Sequence, residues 1–186
     1  MGTGSGQAVL RRAAREPGTM FLGVDADARA MAEASRRAAG KPARGGLANA
    51  VFLAAAAEEM PSLLVGRADE LTIVLPWGSL LGAVLRPGSE VFERLLRVLK
   101  PQGGLELLAS TSERDAAALG VLLDERGAAD LAAAYRKAEL AVEFREATAA
   151  DVLRLSSAWG RRLGIPDRRR AWLFRLRKEE ASRASS

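Results

Sequence analysis

Apolar runs alternate with amphipathic segments along the whole chain. Val9, Leu10, Ala13 and Ala14 share one face of a helix predicted over residues 7–16, closed by Pro17-Gly18. Residues 20–25 form an apolar run ending in Asp25, which reads as a buried strand. A helix over residues 28–39 follows, with Asp27 as N-cap, Gly40 as C-cap and Lys41-Pro42 as its stop. Residues 51–54 predict another short strand. The run 71–75 predicts a further one, ending at Pro76 because proline lacks the backbone donor that a central strand needs. Val91, Leu95, Val98 and Leu99 point inward from a helix over 89–100, and Pro101-Gln102-Gly103-Gly104 turns the chain into a strand at 105–109. Helices are expected at 116–123 and 128–137. Residues 140–145 alternate as a half-exposed strand does, Thr148 to Asp151 has the form of a capping box, and a last strand covers 171–176. Val152, Leu155, Trp159 and Leu163 fall at helical spacing, and that pattern alone buries Trp159 in the core.

Strand and helix in alternation predict an α/β fold, a doubly wound, mostly parallel sheet in one domain over residues 1–178, with a polar tail at 179–186. Ligands in such sheets bind at the carboxyl ends of strands. Three features fall there. Gly2, Gly4 and Gly6 form a loop that lets the backbone pass close to a ligand and enter a helix. Asp25 follows at ~20 residues, where a carboxylate commonly accepts from ribose hydroxyls; because Asp27 can cap the helix, Asp25 is expected to be open to a ligand. Glu58 lies just past the 51–54 strand, and Trp77 just past the 71–75 strand, either as a lid on the core or as a platform for something flat. This set predicts an adenosine-containing cofactor and does not separate NAD from S-adenosylmethionine.

Composition narrows the chemistry. The chain of 186 residues contains no Cys and no His, which excludes thiolate nucleophiles, His-based acid–base catalysis and ordinary zinc sites, so no metal is expected. A net charge of +5 admits an anionic partner such as nucleic acid, or a composition bias with no partner. No membrane span or signal peptide is visible, and the expectation is a cytoplasmic monomer.

Several stretches together carry a family resemblance: Gly2-Thr3-Gly4-Ser5-Gly6, Val24-Asp25-Ala26-Asp27, the loop from Lys41-Pro42 to Asn49, Ala57-Glu58, Pro76-Trp77-Gly78-Ser79-Leu80-Leu81, and Ser157-Ala158-Trp159-Gly160-Arg161-Arg162-Leu163. The glycine loop and the Pro-Gln-Gly-Gly turn resemble class I S-adenosylmethionine-dependent methyltransferases, whose fold is Rossmann-like. The fuller set is similar to the aminoglycoside-resistance enzymes that methylate N1 of a decoding-site adenine in 16S ribosomal RNA. The resemblance implies S-adenosyl-L-methionine as cofactor and the small ribosomal subunit as partner. It implies that Gly2, Gly4, Gly6, Asp25, Ala57, Glu58, Leu75, Pro76, Trp77 and Ser79 hold the cofactor. It further implies that Trp77 and Trp159 sandwich the flipped adenine, with Ser157 holding the loop that carries Trp159; this displaces the core reading of Trp159. Lys41, Arg44, Arg161, Arg162, Arg168, Arg169 and Arg170 are implied to bind RNA.

Two departures stand out. In the family the glycine loop follows a central strand and contains an acid; here Met1 stands at the end of that strand's place and Ser5 replaces the acid. The fold is therefore expected to lack the first central strand, and the start of the chain to be set too late. Other readings are a non-catalytic or truncated methyltransferase-fold RNA-binding protein, or a methyltransferase acting on another RNA, including guanine-N7, or on a small molecule.

Overall fold

A computed structural model describes residues 1–155, 160 and 162–178. β1 (Phe21–Asp25) and β2 (Ala50–Ala54) pair in parallel as one two-stranded sheet. β3 (Ala68–Val74) and β4 (Leu99–Ala109) pair in parallel in a second. In that sheet β6 (Trp172–Lys178) runs antiparallel between β4 and β5 (Leu140–Glu146), giving the order β3-β4-β6-β5. The α/β class stands, and the sheet is mixed.

Side-chain alternation sorts the helices. Ile73, Leu105, Leu107, Phe174 and Leu176 face one way, into the main core formed with α3 (Gly78–Val84), α4 (Glu90–Arg97) and α6 (Glu125–Lys137). Tyr135 of α6 is fully buried there and its hydroxyl donates to the Val84 carbonyl at 2.5 Å, which satisfies the polar group that burial would otherwise orphan. Leu108 and Leu173 face the opposite way, onto Val152 and Leu155 at the end of α7 (Ala149–Arg154). α1 (Gln7–Arg15) and α2 (Ala28–Ala38) pack Leu10, Ala13, Ala34 and Ala38 against β1 and β2. Between β4 and α6 lies α5 (Glu113–Leu119), opened by a Ser112–Asp115 capping box and closed by Gly120 at φ 74°.

The residues expected as a turn, Pro101 to Gly104, lie within β4 as a bulge. Ala68 pairs with Leu99 but Glu70 with Gly104, so β4 advances five residues while β3 advances two, and Gln102 takes φ 64°. α3 is an element that periodicity did not predict: its seven residues are too few to show a helical repeat, and Gly78-Ser79 reads as loop.

Among the described residues no strand lies between β1 and β3, the place from which the first central strand is expected to be missing. The first residues of the chain bridge the two sheets instead. The Met1 nitrogen donates to the Thr72 carbonyl of β3 at 2.8 Å, and the Thr3 N–H donates to the Val24 carbonyl of β1 at 3.1 Å. Burial pushes the Met1 amine down to about 6. Arg12 of α1 spans the same place: its guanidinium lies 5.2 Å from the centroid of the Phe21 ring, donates to Thr72 Oγ1 at 3.1 Å and pairs with Glu70 at 3.4 Å. On the two-stranded sheet the register partners Leu22 and Val51 remain exposed.

Gly6 is closely packed between β2 and α2. It has φ 69°, and a Cβ there would lie 2.5 Å from Phe52 Cε1 and 2.7 Å from Ala34 Cβ. Gly6→Ala is expected to cost about 2–4 kcal/mol from overpacking plus backbone strain, read as a lower urea midpoint.

A second polar layer holds α7. Asp151 is buried and serves four donors: Arg145 Nη1 and Nη2, each at 2.7 Å, and the N–H and hydroxyl of Thr148 in its capping box, each at 2.8 Å. The Arg145 guanidinium holds this carboxyl far below the ordinary aspartate value. A carboxyl depressed in the folded state lends stability above its unfolded pKa and withdraws it as pH falls. Stability should therefore decline below roughly pH 4, and Asp151→Asn, though less stable at pH 7, should show a shallower decline in acid unfolding curves.

Candidate functional site

The glycine loop sits over the gap between the sheets. Gly2, Gly4 and Gly6 take φ 68°, 53° and 69°, a left-handed conformation that side-chained residues rarely adopt. A Cβ on Gly4 would meet nothing within 4 Å, so this point of the loop borders open space. The Gly4 N–H donates to Asp25 Oδ2 at 2.7 Å. The Asp27 N–H donates to Asp25 Oδ1 at 2.9 Å, and Asp27 caps α2 through the Arg29 and Ala30 N–H groups. The cap is as expected, but Asp25 is not idle: it fastens the glycine loop to the end of β1. Each of its oxygens keeps a lone pair for a further donor.

Glu58 lies in a 3-10 turn, Ala57–Glu59, just after β2. Ala57 is buried against the main core and anchors the turn. The Ser79 hydroxyl donates to the Glu58 carboxylate and holds it below the ordinary glutamate value. On the other side Arg94 of α4 donates to the Glu58 carbonyl and pairs with Glu90 at 2.6 Å. Arg94 is a site residue the sequence did not reveal, because on a helix pattern it is one more solvent-facing arginine.

The third wall leaves β3. Leu75 is buried with φ 49°, a left-handed conformation that costs a branched side chain energy and that clusters at functional turns. Its N–H donates to the Leu108 carbonyl at 2.7 Å, which pins the turn to β4. Pro76 is buried, and Trp77 is then thrown outward with 81% of its surface exposed. Gly78 takes φ 59° and Ser79 begins the first turn of α3. An open recess of about 390 Å³ borders this wall, lined by Glu58, Gly78, Ser79, Gly82, Arg86 and Leu119. With that exposure Trp77 is not a lid on the core.

The basic residues divide by environment. Lys41 and Arg44 are exposed on a tight loop whose 3-10 turn, Pro42–Arg44, is closed by the Arg44 and Gly46 N–H groups donating to the Lys41 carbonyl at 2.8 and 3.1 Å. Arg162 and Arg168 are exposed as well. Arg169 and Arg170 make contacts within the chain. Arg169 Nε donates to Ser110 Oγ at 2.7 Å and its Nη2 lies 3.4 Å from Asp115. Arg170 forks onto Glu146 at 2.7 Å and 2.7 Å and lies 5.4 Å from the centroid of the Trp172 ring. Ser157, Trp159 and Arg161 lie outside the described residues. Among the described residues no helix is long and apolar enough to cross a membrane.

The carboxyl ends of β1, β2 and β3 thus converge on one mouth, with Asp25, Glu58 and Trp77 on successive walls and a left-handed glycine loop beneath. Two separated carboxylates, close-approach backbone and an exposed indole fit an adenosine-bearing cofactor with a flat group stacked nearby.

Comparison with known proteins gives the same reading. A family model described as NpmA, 16S rRNA (adenine(1408)-N(1))-methyltransferase, matches residues 1–177. The chain is 29% identical over 180 residues to an Escherichia coli protein named 16S rRNA (adenine(1408)-N(1))-methyltransferase, spanning 91% of this chain and 81% of that one. Among solved structures it is similar to the aminoglycoside resistance methyltransferase NpmB1, at 38% identity and a TM-score of 0.78 over 96% of this chain and 84% of the other. It is also similar to a variant of the 16S rRNA (adenine(1408)-N(1))-methyltransferase from Catenulisporales acidiphilia solved with cosubstrate SAM, at 29% identity and a TM-score of 0.83 over 97% and 84%.

Proposed function

The chain belongs to the 16S rRNA (adenine(1408)-N(1))-methyltransferase family, and we propose that it transfers a methyl group from S-adenosyl-L-methionine to N1 of that adenine, giving aminoglycoside resistance. It acts in the cytoplasm as a monomer, with residues 1–178 as one catalytic domain and the small ribosomal subunit as partner. The observation that carries this reading is Trp77, 81% exposed at the exit of β3, on the mouth that Asp25 and Glu58 border.

The cofactor supplies a methyl group on a sulfonium, which is a good leaving group. Adenine N1 holds an in-plane lone pair while neutral, so the reaction asks for alignment and needs no general base at the attacking atom. A chain without His or Cys meets that demand. Asp25 and the glycine loop receive the ribose side; Glu58, oriented by Ser79 and Arg94, borders the cofactor's adenine; the Leu75–Ser79 turn borders its methionine part. N1 lies on the pairing edge of the base, so the nucleotide must leave its helix. Trp77 offers one face for it to stack on, which offsets part of that cost, and Trp159 with Ser157 supplies the other. Lys41, Arg44, Arg161, Arg162 and Arg168 contact RNA phosphates. Arg169 and Arg170 join them only by leaving Ser110 and Glu146.

The test is methyl transfer to isolated small ribosomal subunits, mapped by reverse-transcription stops. A single new stop at the decoding-site adenine is expected. Methylation elsewhere, or cofactor binding without transfer, would replace this reading with another RNA target or with a non-catalytic RNA-binding protein.

A further inference from the structure

On the sheet face opposite the main core, a polar row crosses four strands in register: Thr72 beside Glu106, Glu106 beside Arg175, Arg175 beside Glu143. Glu106 is its hub. Only 8% of its surface is exposed, yet it carries a charge in the middle of β4. Arg154, the last residue of α7, forks onto it at 2.8 Å and 2.8 Å, and Arg175 Nε adds a contact at 3.2 Å. Burial pulls the Glu106 carboxyl upward, but the two guanidiniums outweigh it and hold it below the ordinary value. Arg154 also lies 3.7 Å from Asp151, which Arg145 of β5 clamps. α7 is thereby tied to β4 and β5 by guanidinium–carboxylate forks.

Stability alone gives a weak reason for this arrangement. Taking a carboxylate out of water costs much of what its pairing with half-exposed guanidiniums returns, and apolar side chains of similar volume often serve as well or better. What a two-pronged fork adds is a single orientation. α7 has six residues, too few to hold a helix without its packing. The cluster it packs into contains Val152 and Leu155 together with Leu75 and Leu108. Leu75 is the left-handed residue two positions before Trp77.

We propose that Glu106 and Arg154 are positioning residues for methyl transfer: their fork sets α7 against Leu75, and so sets the Trp77 wall. This role rests on the function proposed above. It touches neither the glycine loop, Asp25 nor Glu58, and meets the cofactor's proposed methionine side only through Leu75, so it predicts that transfer falls far more than cofactor affinity.

The test compares three variants: Glu106→Gln, Arg154→Lys, and Glu106→Leu combined with Arg154→Met, which removes the buried carboxylate and its forked partner together and keeps the site packed. Each is measured for thermal midpoint, S-adenosylmethionine affinity by calorimetry, and single-turnover transfer at saturating cofactor and ribosomal subunit. Transfer is expected to fall about 10- to 100-fold in all three, with cofactor affinity within about twofold of the unaltered chain, as a small displacement at the reacting group requires. Transfer by the double variant within about twofold of the unaltered chain would overturn the role, since geometry worth less than that is not being held. Parallel loss of cofactor affinity, transfer and thermal midpoint would overturn it too, by showing a general structural defect. If the unaltered chain itself transfers no methyl group, the proposed function fails and this role with it.

Discussion

Trp77→Ala should lower methyl transfer to small ribosomal subunits by about 10- to 100-fold, because a base–aromatic stack is worth ~1–3 kcal/mol and ~1.4 kcal/mol is tenfold. The fold should not notice the change. With 81% of its surface exposed, Trp77 leaves no cavity when truncated, and substitutions at such positions usually stay within about 0.5 kcal/mol. S-adenosylmethionine affinity should stay within about threefold, because Asp25 and Glu58, the polar partners proposed for the cofactor, are untouched. Trp77→Phe keeps a stacking face and should retain most activity. Single-turnover assays beside calorimetry separate these effects, and near-normal transfer by the alanine variant would remove Trp77 from the reaction.

Asp25→Ala should act on the other half of the site and weaken S-adenosylmethionine binding by about 100-fold. Two losses add. The carboxylate's own bond to the ligand is charge-assisted, worth about 1.5–3 kcal/mol. Its removal also frees the Gly4 N–H, bonded at 2.7 Å, and so loosens the loop that must approach the cofactor. The Asp27 N–H, bonded at 2.9 Å, loses its acceptor at the same time, so the start of α2 should fray and the thermal midpoint fall. Asp25→Asn keeps an acceptor without the charge and should lie between. Calorimetry that finds unchanged affinity in Asp25→Ala would show that the ribose is held elsewhere.

Much of this site is legible along the chain because its parts are local. Pro76 cannot continue a strand, so the position of Trp77 follows from one residue's lack of a donor. Asp27 caps α2 as a short acidic residue before an amphipathic run does, and Thr148 with Asp151 forms the expected capping box. Helix-spaced and alternating apolar positions likewise mark α1, α2, α4, α6 and β5 close to where they lie. Periodicity failed where an element is shorter than its own repeat, as in α3, and where a turn is absorbed by a neighbour, as the Pro101 to Gly104 bulge is absorbed by β4.

What sequence could not supply is anything set by residues distant along the chain. Nothing local marks Arg94 as the residue that orients Glu58, or Glu106 as a buried carboxylate waiting for Arg154, 48 positions later. Asp25 read as open to a ligand because its donors, Gly4 from the first loop and Asp27 from the next turn, reach it only when β1 brings them together. Arg169 and Arg170 read as phosphate contacts until folding laid Ser110 and Glu146 beside them. By itself the sequence determined the alternation of strand and helix, the absence of His and Cys chemistry, and the carboxyl-end placement of Asp25, Glu58 and Trp77, since backbone sterics and side-chain type act within a few residues. Only the tertiary structure decided which charges are spent inside the molecule, how Met1, Thr3 and Arg12 bridge two sheets, and that Trp77 stands open. Those outcomes depend on which surfaces meet, and burial is a property of the packed chain.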